Sequence, residues 1–427
     1  MRNLFEVRNG LKEDLFHQEL SRVYGADTSR AAERFLALLD GFCAFYEVEG
    51  DVPVALFSTP GRTEIGGNHT DHQKGHALAA SVNLDTIACV TPTDTGVIRI
   101  KSAGHRLAEI TLESLAAKEE EWGTSPALVR GIVSRIAELG YTVGGFDAYT
   151  TTEVLRGSGL SSSATFEVLV GNIINHLYCD AALTPTQIAQ IGQYAENVYY
   201  GKPCGLMDQL ACATGGVIAL DFGKPFPEIE RVDFDLKAAG YAMCIVDSRV
   251  SHADLSADFA AIPEEMCAVA RYLDKSCLGE VEEHDFYAHL TALRKACGDR
   301  AVLRAMHFFK DDRWAQEECA AIARGDMDAF LELIRRSGRS SYMYLQNVST
   351  YRSTTDLGLA VLLALAEQLV GERGACRVHG GGFAGTIQAF VPLDMLDEFI
   401  EKMEQLTGVG SCFVLSFRPV GTCCVLK

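Results

Sequence analysis

Apolar residues recur at helical spacing over residues 126–139, where Leu128, Ile132, Val133, Ile136 and Leu139 share one face, and this predicts an amphipathic helix. The same period returns at Phe166, Leu169, Val170, Ile173 and Leu177, directly after the stretch GSGLSSSA, so a serine-rich loop opens a second helix. Thr184, Pro185 and Gln187 form an N-cap, a first-turn proline and a capping-box partner for a third helix reaching about Tyr199, with Glu196 in its last turn. Short β-branched runs at 54–59 (VALFST) and 86–90 (TIACV) predict strands that frame the glycine-rich loop PGRTEIGGNHTDHQKG. GGVIALDF at 215–222 reads as the closing strand of a first domain, and YAMCIVDS at 241–248 as the first strand of a second. The boundary is placed between them, giving domains at 1–228 and 229–427. In the second half, helical patterns at 261–273 and 357–369 alternate with strands at 386–391 and 412–417. The mixture predicts an α+β fold, with sheets backed by helices, and argues against a doubly wound parallel sheet.

Composition narrows the function classes. A chain of 427 residues with 48% hydrophobic content has enough material for about two or three domains. Its formal net charge of −19 repels phosphate backbones and anionic lipid, and no local basic patch offsets it, so neither nucleic acid nor a membrane surface is an expected partner. The apolar stretch at 357–370 is interrupted by Glu367 and Gln368 and is too short to span a bilayer. The N-terminal residues lack a secretory pattern, which predicts a cytoplasmic protein. Fourteen cysteines are dispersed without CxxC pairs, so they read as reduced, small buried hydrophobes, Cys204 and Cys212 included.

Four loops hold residues suited to chemistry. RGSGLSSSA at 156–164 joins glycines, which let backbone approach a ligand, to serines at a helix N-terminus; backbone N–H groups there could cradle phosphate and a serine could reach magnesium. Taken alone it is equally an ordinary serine-capped loop. No GxxxxGK[ST] is present, so this is not a P-loop. Gly380, Gly382 and Gly385 formally satisfy GxGxxG, but the β-like TIQAFV follows where a dinucleotide site needs a helix, so HGGGFAG is read as a tight loop between strands. Asp208 in CGLMDQL has the setting of a partly desolvated general base, although caps and turns use aspartate in the same way. Arg62 offers a planar cation for phosphate, or a surface ion-pair partner. His69, Asp71, His72 and His76 suggest either a metal site or a hydrogen-bonding cluster for a polyol.

In this order the loops resemble the galactokinase family of the GHMP small-molecule kinases. The likeness rests on PGRTEIGGNHTDH at 60–72, GLSSSA at 159–164, CGLMDQ at 204–209 and GGGFAG at 380–385, and it extends over nearly the whole chain from about Val54. The resemblance implies an N-terminal domain with a ribosomal-protein-S5-like fold, a C-terminal ferredoxin-like domain, and a site between them. It implies ATP as phosphoryl donor, held by Gly157, Ser158, Gly159, Leu160, Ser161, Ser162 and Ser163, with Mg2+ on Ser163 and Glu196. Asp208 matches the family's catalytic aspartate and Arg62 its transition-state arginine. Asn68, His69, Asp71, Gly205 and Phe259 fall at sugar-binding positions, the product being a sugar 1-phosphate from a monomeric enzyme.

Departures cluster on the sugar side. Asn68 stands where the family has Glu, Glu64 where it has Asn, Gly66 where it has an apolar residue, and His72 where it has Tyr. Phe259 takes the place of a tyrosine and removes a hydroxyl. Galactose is the first expectation, with another hexose, an N-acetylated sugar, a uronic acid or a pentose as alternatives, and a non-catalytic sugar sensor as a different class of function.

Overall fold

The computed structural model describes residues 1–48, 50, 52–154, 159–249, 255–350, 352, 355–383 and 385–427, with backbone alone at Ser256. Thirteen strands are found among them. Eight come early: β1 (Arg2–Asn3), β2 (Pro53–Gly66), β3 (His76–Thr93), β4 (Val97–Ser102), β5 (Leu107–Thr111), β6 (Gly145–Thr152), β7 (Val217–Asp221) and β8 (Glu228–Val232). Five follow: β9 (Tyr241–Asp247), β10 (Ala375–Val378), β11 (Thr386–Pro392), β12 (Cys412–Leu415) and β13 (Cys423–Leu426). The first sheet runs β1-β2-β3-β6-β4-β5, with β13 added to β2 and the β7–β8 pair added to β3; the second runs β10-β11-β9-β12. Pairing is antiparallel except between β4 and β6. The expected boundary at 228/229 therefore falls at the start of a strand that still belongs to the first sheet, and the last strand of the chain returns to that sheet.

Helices cover both sheets. An N-terminal group comprises α1 (Leu4–Lys12), α2 (His17–Tyr24) and α3 (Thr28–Tyr46). Next come α4 (Ser125–Glu138), α5 (Ser162–Tyr178), α6 (Pro185–Tyr194) and α7 (Met207–Thr214). The second half supplies α8 (Ser256–Tyr272), α9 (Glu283–Ala288), α10 (Leu290–Cys297), α11 (Asp299–Ala323), α12 (Met327–Ser340), α13 (Gly358–Val370) and α14 (Leu396–Thr407). None of the described helices is long and apolar enough to cross a membrane.

The apolar run VALF follows from burial on both faces of β2, since successive side chains point to opposite sides. Ala55 and Phe57 join the core under α4 to α7, while Val54 and Leu56 join the one under α1 to α3. A third core lies between the sheets, where Ile65, Leu78 and Ala80 meet Met243, Ile245, Phe330 and Phe390. The two halves thus share buried surface, and the loops of interest lie along that seam.

Two differences from the expected elements matter. The strand beginning at Pro53 does not stop at residue 59 but continues to Gly66, because register shifts at Pro60/Arg62 and Glu64/Gly66 absorb the proline and glycines as bulges. Arg62 and Glu64 consequently sit on a fixed strand, and only 67–75 remains a loop. The helix expected to reach Tyr199 has the predicted capping box at Thr184 and Gln187, but it ends at Tyr194 and widens into a π-helical turn, Ala195–Tyr200. Such turns re-aim side chains, and this one turns Glu196 inward, 2% exposed.

Candidate active site

Arg62 and Asp208 form the centre. Asp208 lies in the first turn of α7, and Arg62 Nε donates to its Oδ1 at 2.7 Å. A second donor, the Ser161 hydroxyl, reaches Oδ2. Burial by itself would raise the Asp208 pKa, but attraction to Arg62, its hydrogen bond and that of Ser161 outweigh burial and hold the carboxyl below its usual range. It is an ionised acceptor across the neutral and mildly acidic range. Arg62 also donates to the Gly159 carbonyl, and its backbone N–H to that of Leu160 at 3.2 Å, which locks the serine loop to β2.

His69 (φ 61°), Ser161 (φ 56°) and Phe383 (φ 60°) are non-glycine residues that adopt the left-handed conformation. Each belongs to a different loop, and strain of this kind persists where surrounding contacts over-determine a conformation, as at ligand sites. Ser161 is the N-cap of α5, so Ser162 and Ser163 open the helix and its N-terminal N–H groups face the region of Arg62 and Asp208. Gly159 (φ 71°) could not bear a side chain, since a Cβ would lie 2.5 Å from His379 Nδ1. Leu160 is buried in the core between the sheets and offers only its backbone. Gly157 and Ser158 lie outside the described residues.

Ser163 and Glu196 are brought together, Oγ to Oε1 at 3.3 Å. Gln209 Nε2 bridges the other oxygen of Glu196, at 3.1 Å, to Glu167 Oε2, at 2.9 Å. Glu167 is fully buried, with Oε1 lacking a hydrogen-bond partner among the described residues; burial, then the nearby Glu196, pushes its carboxyl well above the ordinary range. A hydroxyl and a carboxylate beside an unpartnered carboxyl oxygen are hard oxygen donors of the type Mg2+ takes when it keeps most other positions for phosphate and water. Glu167 and Gln209 were missed from sequence. Their available signals were the four-residue spacing of Glu167 from Ser163 on α5 and the adjacency of Gln209 to Asp208.

On the opposite wall, His69 Nε2 lies 3.3 Å from the Gly381 carbonyl, and burial, then the neighbouring His72, lowers its pKa to about 3. It is a neutral imidazole. A Cβ on Gly205 would fall 1.8 Å from Asp71 Oδ2, so the CGLMDQ loop and the HTD loop touch where a side chain would have to displace the Asp71 carboxyl. Phe259 packs its ring edge on Gly381, which has no Cβ to block it, and meets Phe383 edge to face at 5.4 Å.

Asn68 behaves differently from the expectation of a sugar ligand. It is fully buried, donates to Glu64 Oε1 at 2.9 Å and the Gly380 carbonyl at 2.8 Å, and accepts from Ser341 Oγ at 3.2 Å and Asn347 Nδ2 at 2.9 Å. Both donors and both lone pairs of its amide are used by protein groups. The carboxylate and amide that are interchanged relative to the family pattern are thus hydrogen-bonded to each other. Gly66 belongs to the same rearrangement, because a Cβ there would lie 1.7 Å from Glu318 Oε2, a buried side chain of α11. Asn68→Glu alone would put two buried carboxyls at one hydrogen bond, with an expected loss of about 2 to 3 kcal/mol in urea denaturation. Adding Glu64→Asn should recover the part due to carboxyl–carboxyl repulsion, while Arg377 loses its partner at 64. A double variant no more stable than Asn68→Glu would show that the two positions do not compensate.

A helix N-terminus opened by serines, an ionised aspartate paired with arginine, and a hydroxyl–carboxylate pair beside them suit a small-molecule kinase, and the fold agrees with the GHMP class. The GHMP kinase N-terminal domain model matches residues 127–216, and the galactokinase galactose-binding signature matches 42–92. The chain belongs to the galactokinase family and is an ATP-dependent sugar kinase: it is 30% identical over 369 residues to a galactokinase of Streptomyces coelicolor, covering 84% of this chain and 90% of that one. Among solved structures, the galactokinase of Lactococcus lactis complexed with galactose superposes with a TM-score of 0.78 at 25% identity, covering 91% of this chain and 99% of the other. The Methanococcus jannaschii mevalonate kinase, at 14% identity and a TM-score of 0.60 over 87% of this chain and 99% of its own, shares the fold.

Proposed function

We propose that this chain transfers the γ-phosphoryl group of ATP to the anomeric hydroxyl of galactose, giving galactose 1-phosphate. The observation that carries the reading is the Arg62–Asp208–Ser161 constellation, which ties the α5 N-terminus to α7 and to β2, the strand that leads directly into the loop bearing His69 and Asp71. Asp208 accepts or orients the proton of the attacking hydroxyl, and its depressed pKa keeps the acceptor form available. Arg62, fixed by β2, stabilises the charge spreading over the transferred phosphoryl. Backbone N–H groups of the serine loop hold the phosphates, and neutral His69 with Asp71 and the Gly205 backbone orients the sugar, Phe259 closing that side. Ser163 and Glu196 hold Mg2+, which when bound neutralises phosphate charge. The two lobes, one built on each sheet, act as one monomer in the cytoplasm, without nucleic acid or membrane as partner.

Gly205→Ala should raise the KM for sugar by about tenfold to a hundredfold while leaving that for ATP within about twofold, because the new methyl displaces the Asp71 carboxyl. Equal changes in both constants would detach Asp71 from the sugar.

ADP release from the purified chain with magnesium-ATP, measured against aldoses, N-acetylhexosamines and uronic acids with phosphorus NMR of the product, tests the whole reading. Galactose-dependent release of a 1-phosphate is expected. Turnover confined to another sugar would reassign the substrate, and sugar binding without ADP release would replace the enzyme with a sensor.

A further inference from the structure

Glu196 has a cationic neighbour, Lys202, that its proposed role leaves unexplained. The π-helical turn ends at Gly201 in the left-handed conformation, and the Lys202 backbone N–H then donates to the Glu196 carbonyl at 3.1 Å. This closure folds the Lys202 side chain back over the turn, and its Nζ lies 3.1 Å from Glu196 Oε1. The same oxygen accepts from Ser163 Oγ, while Oε2 is taken by Gln209. The ammonium thus occupies the open side of the one carboxylate oxygen that Ser163 shares, which is where a cation held by both residues would bind. The Glu196 side chain is 3% exposed and that of Lys202 is 61% exposed.

We propose that Lys202 is a resident counter-ion for Glu196 that competes with the divalent cation and leaves when the cation binds; the inference rests on the reading of Glu196 as a metal ligand. A carboxylate this enclosed is costly without a positive partner. Lysine suits the task because its ammonium is a compact point charge on a flexible stem, here mostly in water, so it can withdraw without disturbing the core. The consequence is a site that keeps its shape without metal and releases Glu196 only to a stronger cation. A divalent ion bound in the absence of nucleotide must first displace the ammonium, so metal affinity is held down until phosphate oxygens add further ligands.

Mn2+ binding to the full chain without nucleotide, read from the electron paramagnetic resonance signal of the free ion, tests the competition. Lys202→Met should bind Mn2+ about tenfold more tightly than the unaltered chain, and Lys202→Gln should do the same. Without divalent metal both variants should melt at a lower temperature than the unaltered chain, and Mn2+ should restore the difference. Unchanged or weaker Mn2+ binding in both variants overturns the proposal. Glu196→Gln separates the two levels of failure. If it abolishes Mn2+ binding while the Lys202 variants bind as the unaltered chain does, only the counter-ion role falls; if it leaves Mn2+ binding intact, the metal reading of Glu196 falls and takes this proposal with it.

Discussion

Asp208→Asn should bind ATP with nearly unaltered affinity and lose turnover by about a thousandfold, within the range set for a positioned general base. The amide preserves the size of the side chain and can still accept from Arg62, so the site should keep its geometry. What it cannot do is take a proton. Single-turnover phosphorylation and nucleotide binding by calorimetry separate the two effects, and turnover within tenfold of the unaltered enzyme would remove Asp208 from the chemistry. The sign of the pH dependence follows from the same contacts. Because Arg62 and Ser161 outweigh burial and lower the Asp208 pKa, its acceptor form persists as pH falls through the ordinary carboxylate range. Loss of activity due to this group belongs below that range. Arg62→Lys, which keeps charge but loses the planar fork, should move this acid limb upward.

The second large effect is structural. Arg377 on β10 is fully buried, donates to the Ile65 carbonyl at 3.2 Å and Ser337 Oγ at 3.1 Å, and pairs with Glu64. Arg377→Met would leave that carboxyl without its charged partner, at an expected cost of about 3 to 5 kcal/mol at pH 8. Burial already raises Glu64 to about 7 against the opposing pull of Arg377, and removing the arginine raises it further. A carboxyl with a raised folded-state pKa contributes stability that is present below its unfolded value and lost as pH rises through the folded one. The variant should therefore be less impaired at pH 6 than at pH 8. Urea denaturation at both values checks this, and an equal loss at each would mean that Glu64 does not titrate there.

Much of this protein is legible without coordinates because the chemistry of its loops is local. A serine run before a helical period must place its N–H groups at a helix start, and α5 begins at Ser162 as that period requires. The capping box at Thr184 and the strand after HGGGFAG depend on neighbours within a few residues, and both are present. The ordered motifs likewise suffice to reach the galactokinase family. What sequence spacing could not supply is any contact between distant segments. Nothing local shows that PGRTEIG stays extended, since proline and glycine ordinarily end a strand, and only pairing with β3 through two bulges keeps Arg62 on a fixed element. The proximity of Gly205 to Asp71 and the bridge from Gln209 to Glu167 and Glu196 join residues far apart in the chain. Asn68 illustrates the division most clearly. Its replacement of a glutamate is visible in the sequence, but its four hydrogen bonds reach positions 64, 341, 347 and 380, and only the packed structure decides that they are filled by protein. Periodicity and motif order determine which elements form and what chemistry they can hold, because those depend on neighbours along the chain. The choice of partners for buried polar groups belongs to tertiary structure, because desolvation forces each group to find whatever donor or acceptor the fold brings within reach.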